Sequence, residues 1–203
     1  MRVKSDEIRR KILGIAGSLF TTNGFGAVNM SQIASAVGGS KSTLYNHFPS
    51  KELLFEAFVV EAGKERFAAL SKVTFDDVDP RRTLAEFGAI YLQLVLSPEV
   101  LAINRLVIAE APRFPDLGKI FYENGPRQTV ARIESLIGQL SDRALLRPGN
   151  PHDACLCFKA LLDGDLYERS LWGLIDAPDE STIRAASDHA AQAFWELWTL
   201  PAH

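Results

Sequence analysis

Sulfur is scarce in this chain, with two cysteines among 203 residues. Cys155 and Cys157 stand two apart at what reads as a helix start, so their side chains diverge and cannot easily chelate one ion. His152 and Asp153 sit beside them, but no fourth ligand is evident nearby, so no metal site is assigned. His152 and Cys155 are three apart and could share a helix face as a thiol–imidazole pair. Nucleophilic chemistry of that kind also needs an orienting partner, and the sequence identifies none. Buried cysteines in a reducing compartment are the commoner explanation. No glycine-rich loop shaped to cradle a phosphate occurs, and no cofactor is implied. An enzyme using His152 and Cys155 stays as a remote alternative, with no catalytic residue assigned.

Long apolar runs are also missing. None is long enough to span a bilayer, and no charged-then-apolar leader opens the chain. These readings predict a soluble cytoplasmic protein with no membrane partner. Repeats and low-complexity tracts are absent, and no convincing strand is found, because the alternation over 74–78 is too short. What the sequence does have is apolar content, 47%, enough for a compact core. Helical periodicity runs throughout. Pro80, Pro98, Pro115, Pro126 and Pro151 all stand where helices begin. Pro148-Gly149-Asn150-Pro151 reads as a loop, and 74–80 as a polar connector.

Residues 29–53, NMSQIASAVGGSKSTLYNHFPSKEL, are the most informative stretch. Asn29 with Gln32 three residues on approximates a capping box. Ile33, Ala34 and Val37 form one apolar face of a two-turn helix. Gly38-Gly39 ends it, and Ser40 caps a second short helix over Lys41–His47. Leu44 and Phe48 share a face that should pack on Ile33 and Val37. At about 100° per residue, Ser42 and Asn46 lie opposite Leu44, flanked by Thr43 and Tyr45. All four side chains can form hydrogen bonds, and none is negative. Asn can bond adenine bidentately, and Ser and Thr can serve bases or phosphates. Ser50 can cap the next helix, where Lys51 sits near the positive end and a phosphate would be welcome. This is the pattern of a helix-turn-helix. Upstream, Ser5 can cap a first helix whose stripe is Ile8, Ile12, Ile15, Ala16, Leu19 and Phe20, closed by Gly24.

Short polar helices with serine caps also occur in proteins that bind no nucleic acid, but the charge distribution favours a polyanion. The first 51 residues hold seven Lys/Arg (Arg2, Lys4, Arg9, Arg10, Lys11, Lys41, Lys51) against two acids (Asp6, Glu7), a net +5. With −3 for the whole chain, the remainder carries −8. A basic head on an acidic body argues against an architectural DNA-coating protein, which would be broadly basic.

The first fifty-odd residues resemble the DNA-binding domain of the TetR/AcrR family of bacterial transcriptional regulators. The match runs through Ile12-Leu13, Ala16, Leu19-Phe20, Gly24-Phe25, Ile33-Ala34, the run Ser40 to Phe48, and Ser50-Lys51-Glu52-Leu53-Leu54. The resemblance implies that Lys41, Ser42, Thr43 and Asn46 meet bases or nearby phosphates. It implies that Tyr45, His47 and Lys51 grip the phosphate backbone, and that Ser31 on the supporting helix does so too. Asn29 stands where the family usually has Thr or Ser, and Gly39 where it has a branched apolar residue, which should loosen the turn. The expected fold is all-α: a three-helix helix-turn-helix head over 1–50 and a larger helical effector-binding and dimerisation body over 51–203, about nine helices. The implied function is sequence-specific transcriptional regulation, most simply repression released by a small, largely apolar ligand, with a ligand-insensitive regulator or an activator as the alternative.

The body offers two leads. Its last helices, about 151–174 and 179–200, carry a stripe of Ile183, Ala186, Ala190, Phe194, Leu197 and Trp198, with Trp172 close by. Part of this stripe must face the chain's own core. By the family resemblance, two helices from each chain form a homodimer, which would read a near-palindromic double-stranded operator. The middle segment 107–122 resembles a motif in the body of one subgroup of the family. Pro112 and Pro115 break a helix there beside Phe114, Phe121 and Tyr122, a suitable wall for an unknown small-molecule effector. Phe87, Tyr91, Arg105, Phe158 and Asp165 could complete it, although a packed aromatic core is the commoner explanation for each residue taken singly. Asp163-Gly164-Asp165 with Glu168 reads either as a polar face or as a cation site.

Overall fold

The computed structural model describes residues 2–75 and 79–199. Ten helices are found among the described residues: α1 Arg2–Asn23, α2 Met30–Val37, α3 Lys41–His47, α4 Lys51–Leu70, α5 Pro80–Val95, α6 Pro98–Glu110, α7 Pro115–Asn124, α8 Pro126–Asp142, α9 Pro151–Leu171 and α10 Glu180–Trp198. Their only β pairing is an isolated antiparallel bridge between Leu146 and Thr199. The all-α expectation holds. No single helix among them is long and apolar enough to cross a membrane. Asp76, Asp77 and Val78 of the polar connector, and Leu200 at the expected end of the last helix, lie outside the described residues.

Prolines start helices where the sequence places them, because a missing N–H costs nothing in a first turn. Polar side chains complete several of these starts. Asp79 accepts from the Arg82 amide at 3.0 Å ahead of α5, and Asn150 from the His152 amide at 3.0 Å ahead of α9. One start differs from expectation. Helix α1 begins at Arg2, so Ser5 lies within it and does not cap it.

Two compact units emerge, and the division between them falls within α4 and α6. The first comprises 1–62 and 102–125. Its core joins Ile12, Ala16 and Phe20 of α1 to Ile33 and Val37 of α2, Leu44 of α3, Phe48, Leu54 and Phe55 of α4, Ile103 of α6 and Leu117 of α7. Phe20, Phe25 and Phe55 form a mutual aromatic trio with ring centroids 5.4, 5.6 and 5.9 Å apart. Each such pair contributes about 0.5–1.5 kcal/mol beyond its buried area. The end of α6 and α7 therefore belong to the same packed unit as the three N-terminal helices.

The second unit comprises 63–101 and 126–203. Leu84, Phe87, Tyr91 and Leu92 of α5 pack with Ile133, Leu136 and Ile137 of α8, Phe158 and Leu162 of α9, and Ile183, Ala190 and Phe194 of α10. Gly88 permits this closeness, since a Cβ there would sit 2.6 Å from both Leu162 Cδ2 and Ser187 Oγ. Helix α9 is interrupted at Gly164, whose φ of 45° and ψ of −154° leave the helical region. Just before that break, Asp163 accepts from Tyr91 Oη at 2.5 Å and from Lys159 Nζ at 2.5 Å.

The α2 start gives a local test of this folding logic. Asn29 Oδ1 accepts from the Gln32 amide at 3.0 Å, and Gln32 Oε1 accepts from the Asn29 amide at 2.8 Å, so the capping box is complete. Asn29→Ala removes the side-chain acceptor and should lower stability by about 1 kcal/mol. Asn29→Ser should retain most of it. Urea unfolding of the three proteins checks this, and equal midpoints for wild type and Asn29→Ala would refute it.

Candidate nucleic-acid interface

The turn between α2 and α3 is closed by backbone geometry. Gly38 takes φ 72°, a left-handed conformation that glycine adopts without strain. Its amide reaches Ser35 O at 3.1 Å, and the Gly39 amide reaches Ala34 O at 3.2 Å. The missing side chain at Gly39 thus leaves the turn hydrogen-bonded. Ser40 Oγ then accepts from the Thr43 amide at 3.0 Å and starts α3. Leu44 and Phe48 are buried with Ile33 and Val37 in one core, which fixes the rotation of α3 about its axis.

That rotation leaves Lys41, Ser42, Tyr45 and Asn46 exposed together, with Thr43 and His47 half-buried at the margins. Tyr45 keeps 46% of its surface accessible, so it is available to a partner. Thr43 Oγ1 is already 2.9 Å from Ser40 Oγ, so one of its hydrogen bonds serves the cap. Ser31 is exposed on α2. The Arg9 guanidinium lies over the Phe48 ring at 5.5 Å, placing a basic residue of α1 beside the end of α3. A face of donors and acceptors with added positive charge and no acid has the chemistry to meet a nucleic acid.

Lys51 behaves differently from the other expected contacts. Its Nζ donates to Phe25 O at 2.8 Å and to Val28 O at 2.9 Å, and lies 4.0 Å from the centre of the Phe25 ring. Burial lowers the pKa of this ammonium, while the nearby Glu52 and Glu110 oppose that shift. Two of its three N–H donors are therefore committed to the α1–α2 turn. Sequence reasoning missed this role, because the carbonyls lie 26 and 23 residues upstream and carry no side-chain signature. The expected cap at Ser50 does form, with Oγ accepting from the Leu53 amide at 3.1 Å.

The residues considered for an effector site fall into both units. Phe87, Tyr91 and Phe158 share the core of the second unit, each at most 2% exposed. Burial, then the adjacent Asp163, raises the Tyr91 pKa well above the usual phenol range, so its hydroxyl stays a donor. Asp165 is exposed and pairs with Arg169 at 3.2 Å. Phe114 and Phe121 pack at the edge of the first unit's core, while Arg105 and Tyr122 are exposed. The stripe considered for a dimer interface divides as well. Ile183, Ala190 and Phe194 are buried in the chain's own core, with Ala186 and Trp198 packed against it. Trp172 is 66% and Leu197 55% exposed, and both remain open to a second chain.

The thiol–imidazole reading loses its geometry. His152 Nδ1 lies 2.6 Å from Glu134 Oε1, whereas the buried Cys155 Sγ donates to Val130 O at 3.6 Å. Burial pushes the Cys155 thiol up to about 11, away from the thiolate a nucleophile needs. Asp163, part of the candidate cation site, already has its charge balanced by Lys159.

Comparison with known proteins agrees with this geometry. Residues 12–58 match the model of the bacterial regulatory proteins of the tetR family, and residues 82–198, more than half the chain, match the C-terminal domain of AefR-like transcriptional repressors. Among curated proteins, the nucleoid occlusion factor SlmA of Aliivibrio fischeri is 26% identical over 144 residues, 71% of this chain. The chain spans 64% of the length of that relative. The HTH-type transcriptional regulator UidR of Escherichia coli is 36% identical over 61 residues, 30% of this chain and 31% of its own. Among solved structures, the flavonoid-responsive regulator FrrA superposes with a TM-score of 0.82 at 29% identity, covering 97% of this chain and 100% of its own. A TetR-family transcriptional regulator from Mesorhizobium loti gives 0.77 at 25% identity, with 97% and 98% covered. The chain belongs to the TetR family of bacterial regulatory proteins, with a C-terminal domain of the AefR-like repressor type.

Proposed function

We propose that this protein is a sequence-specific, DNA-binding transcriptional regulator of the cytoplasm, acting without catalysis as a homodimeric repressor. The observation that carries this reading is the outward face of α3, where Lys41, Ser42, Tyr45 and Asn46 are exposed together above a buried Leu44. Residues 1–50 serve as the DNA-binding domain, and 51–203 hold the effector and the partner chain. Asn46, Ser42 and Thr43 read base edges, with Lys41 beside them. Tyr45, His47 and Ser31 hold phosphates, and Lys51 does so through its remaining N–H. One head offers a short reading surface, whereas two heads related by a twofold axis double the contacts and match a near-palindrome. Trp172, just past the end of α9, and Leu197 of α10 are the exposed anchors of the proposed interface.

The proposed effector is a small, largely apolar molecule bound in the body, where the candidate contacts are Phe87, Tyr91, Phe158 and Asp165 in the second unit or, separately, Arg105, Phe114, Phe121 and Tyr122 in the first. Likeness to a flavonoid-responsive regulator over 97% of the chain supports ligand control. A ligand that prefers one dimer geometry biases α4, and so the spacing of the two α3 helices, which an operator fixes near one DNA turn or a multiple.

Three measurements test this reading. Asn46→Ala should weaken operator binding by about 1–3 kcal/mol and relax choice at one base position. Lys51→Ala should weaken every duplex and lower stability as well, since it frees two turn carbonyls. Equal loss on specific and random DNA for Asn46→Ala would demote that residue to a phosphate contact. Across a panel of apolar effectors, one should shift operator affinity by about 5- to 150-fold. Invariant affinity would mark a ligand-insensitive regulator. Sedimentation should show a dimer that Trp172→Asp and Leu197→Asp together dissociate, and a monomeric wild type would contradict the twofold arrangement.

A further inference from the structure

The α1–α2 turn is held from outside by two opposite charges, and the DNA-binding reading does not use one of them. Glu110, the last residue of α6, places Oε2 3.2 Å from the Gly26 amide, which donates to it across 84 residues of sequence. Room for the carboxylate comes from glycine. A Cβ at Gly24 would lie 2.5 Å from Glu110 Oε1, and Gly24 takes φ +83°. Room for the following corner comes from glycine too, since a Cβ at Gly26 would lie 2.9 Å from Phe114 Cε2. Between them, Phe25 meets the edge of Phe114 at 5.5 Å with the rings 69° apart. From the other direction, Lys51 takes the carbonyls of Phe25 and Val28. An acid ending a helix opposes the helix dipole, so Glu110 sits where its charge is unfavourable unless the Gly26 bond and Lys51 offset it.

The turn runs directly into Asn29, the cap of α2, and through α2 into α3. Resting on the DNA-binding reading above, we infer that Glu110 is a positioning residue for that function. Its carboxylate fixes the turn that sets α2 and α3, so the reading face is preorganised before it meets DNA. The cost of ordering that face is met on folding and not on binding. Glu110 contacts no nucleic acid in this role, so its loss changes affinity without changing the number of phosphate contacts.

The test uses full-length wild type, Glu110→Ala, Glu110→Gln and Glu110→Asp. Amide hydrogen exchange at Gly26 is followed by NMR without DNA. Affinity is measured over a salt series for the duplex that the wild type enriches from a randomised pool. Glu110→Ala should speed Gly26 exchange and weaken the duplex about tenfold, with an unchanged slope of affinity against salt. Glu110→Gln keeps a carbonyl acceptor and should restore most of both. Glu110→Asp, one methylene too short, should weaken both and serves if the alanine variant does not fold. Wild-type affinity in Glu110→Ala or Glu110→Asp overturns the inference, and so does a loss that merely tracks the unfolded fraction or alters the salt slope. If the wild type enriches no duplex, the DNA-binding reading itself fails, and Gly26 exchange then still separates that failure from the loss of the hold on the turn.

Discussion

The fold's functional end depends on how a five-residue turn is held. Residues 24–28 join α1 to α2 and make few regular hydrogen bonds of their own. Lys51 supplies donors to two of their carbonyls, at 2.8 and 2.9 Å, and Glu110 supplies an acceptor to one amide. Phe25 and Val28 are buried, so leaving their carbonyls unpaired would be costly and Lys51 satisfies them, while Glu110 adds a bond to the exposed Gly26 amide. Phe25, at the centre of the turn, adds the aromatic contacts that tie it to Phe20, Phe55 and Phe114.

From that anchor the rest of the head follows by short-range rules. The capping box orients α2, the left-handed Gly38 turns the chain, and Ser40 starts α3. Leu44 and Phe48 then bury themselves against Ile33 and Val37, and the opposite face of α3 is left to solvent. In the second unit a different device operates. Gly88 lets α5 come close to α9 and α10, and the Tyr91–Asp163–Lys159 group satisfies a carboxylate in a largely apolar setting. Such a group is weak evidence for stability but constrains how the helices can pack.

Much of this was legible in the sequence. The caps at Asn29, Ser40 and Ser50, the glycine stops at Gly24 and Gly38, and the five proline helix starts are local signals read within a few residues. The parts that were not legible are long-range. Lys51 looked like a free cation at a helix start, and nothing in its neighbourhood says that it turns inward to carbonyls 23 and 26 residues away. Nothing local marks Glu110 as the partner of the Gly26 amide, 84 residues upstream. The break at Gly164 gave only a glycine between two aspartates, and Ser5 resembled a cap because nothing before it marked an earlier start. The body's stripe shows the same limit in another form. Periodicity placed Ile183, Ala190 and Phe194 on one face with Leu197, but only packing reveals that the first three are consumed by the chain's own core.

The central claim is that the outward face of α3 reads duplex DNA as one of a symmetric pair. Selection from a randomised duplex pool, followed by chemical footprinting of the enriched sequence, tests it most directly. The account predicts a near-palindromic sequence protected in two major-groove patches, centred about one helical turn or a multiple apart. Enrichment of a single unpaired patch, or no enrichment at low salt, would contradict it.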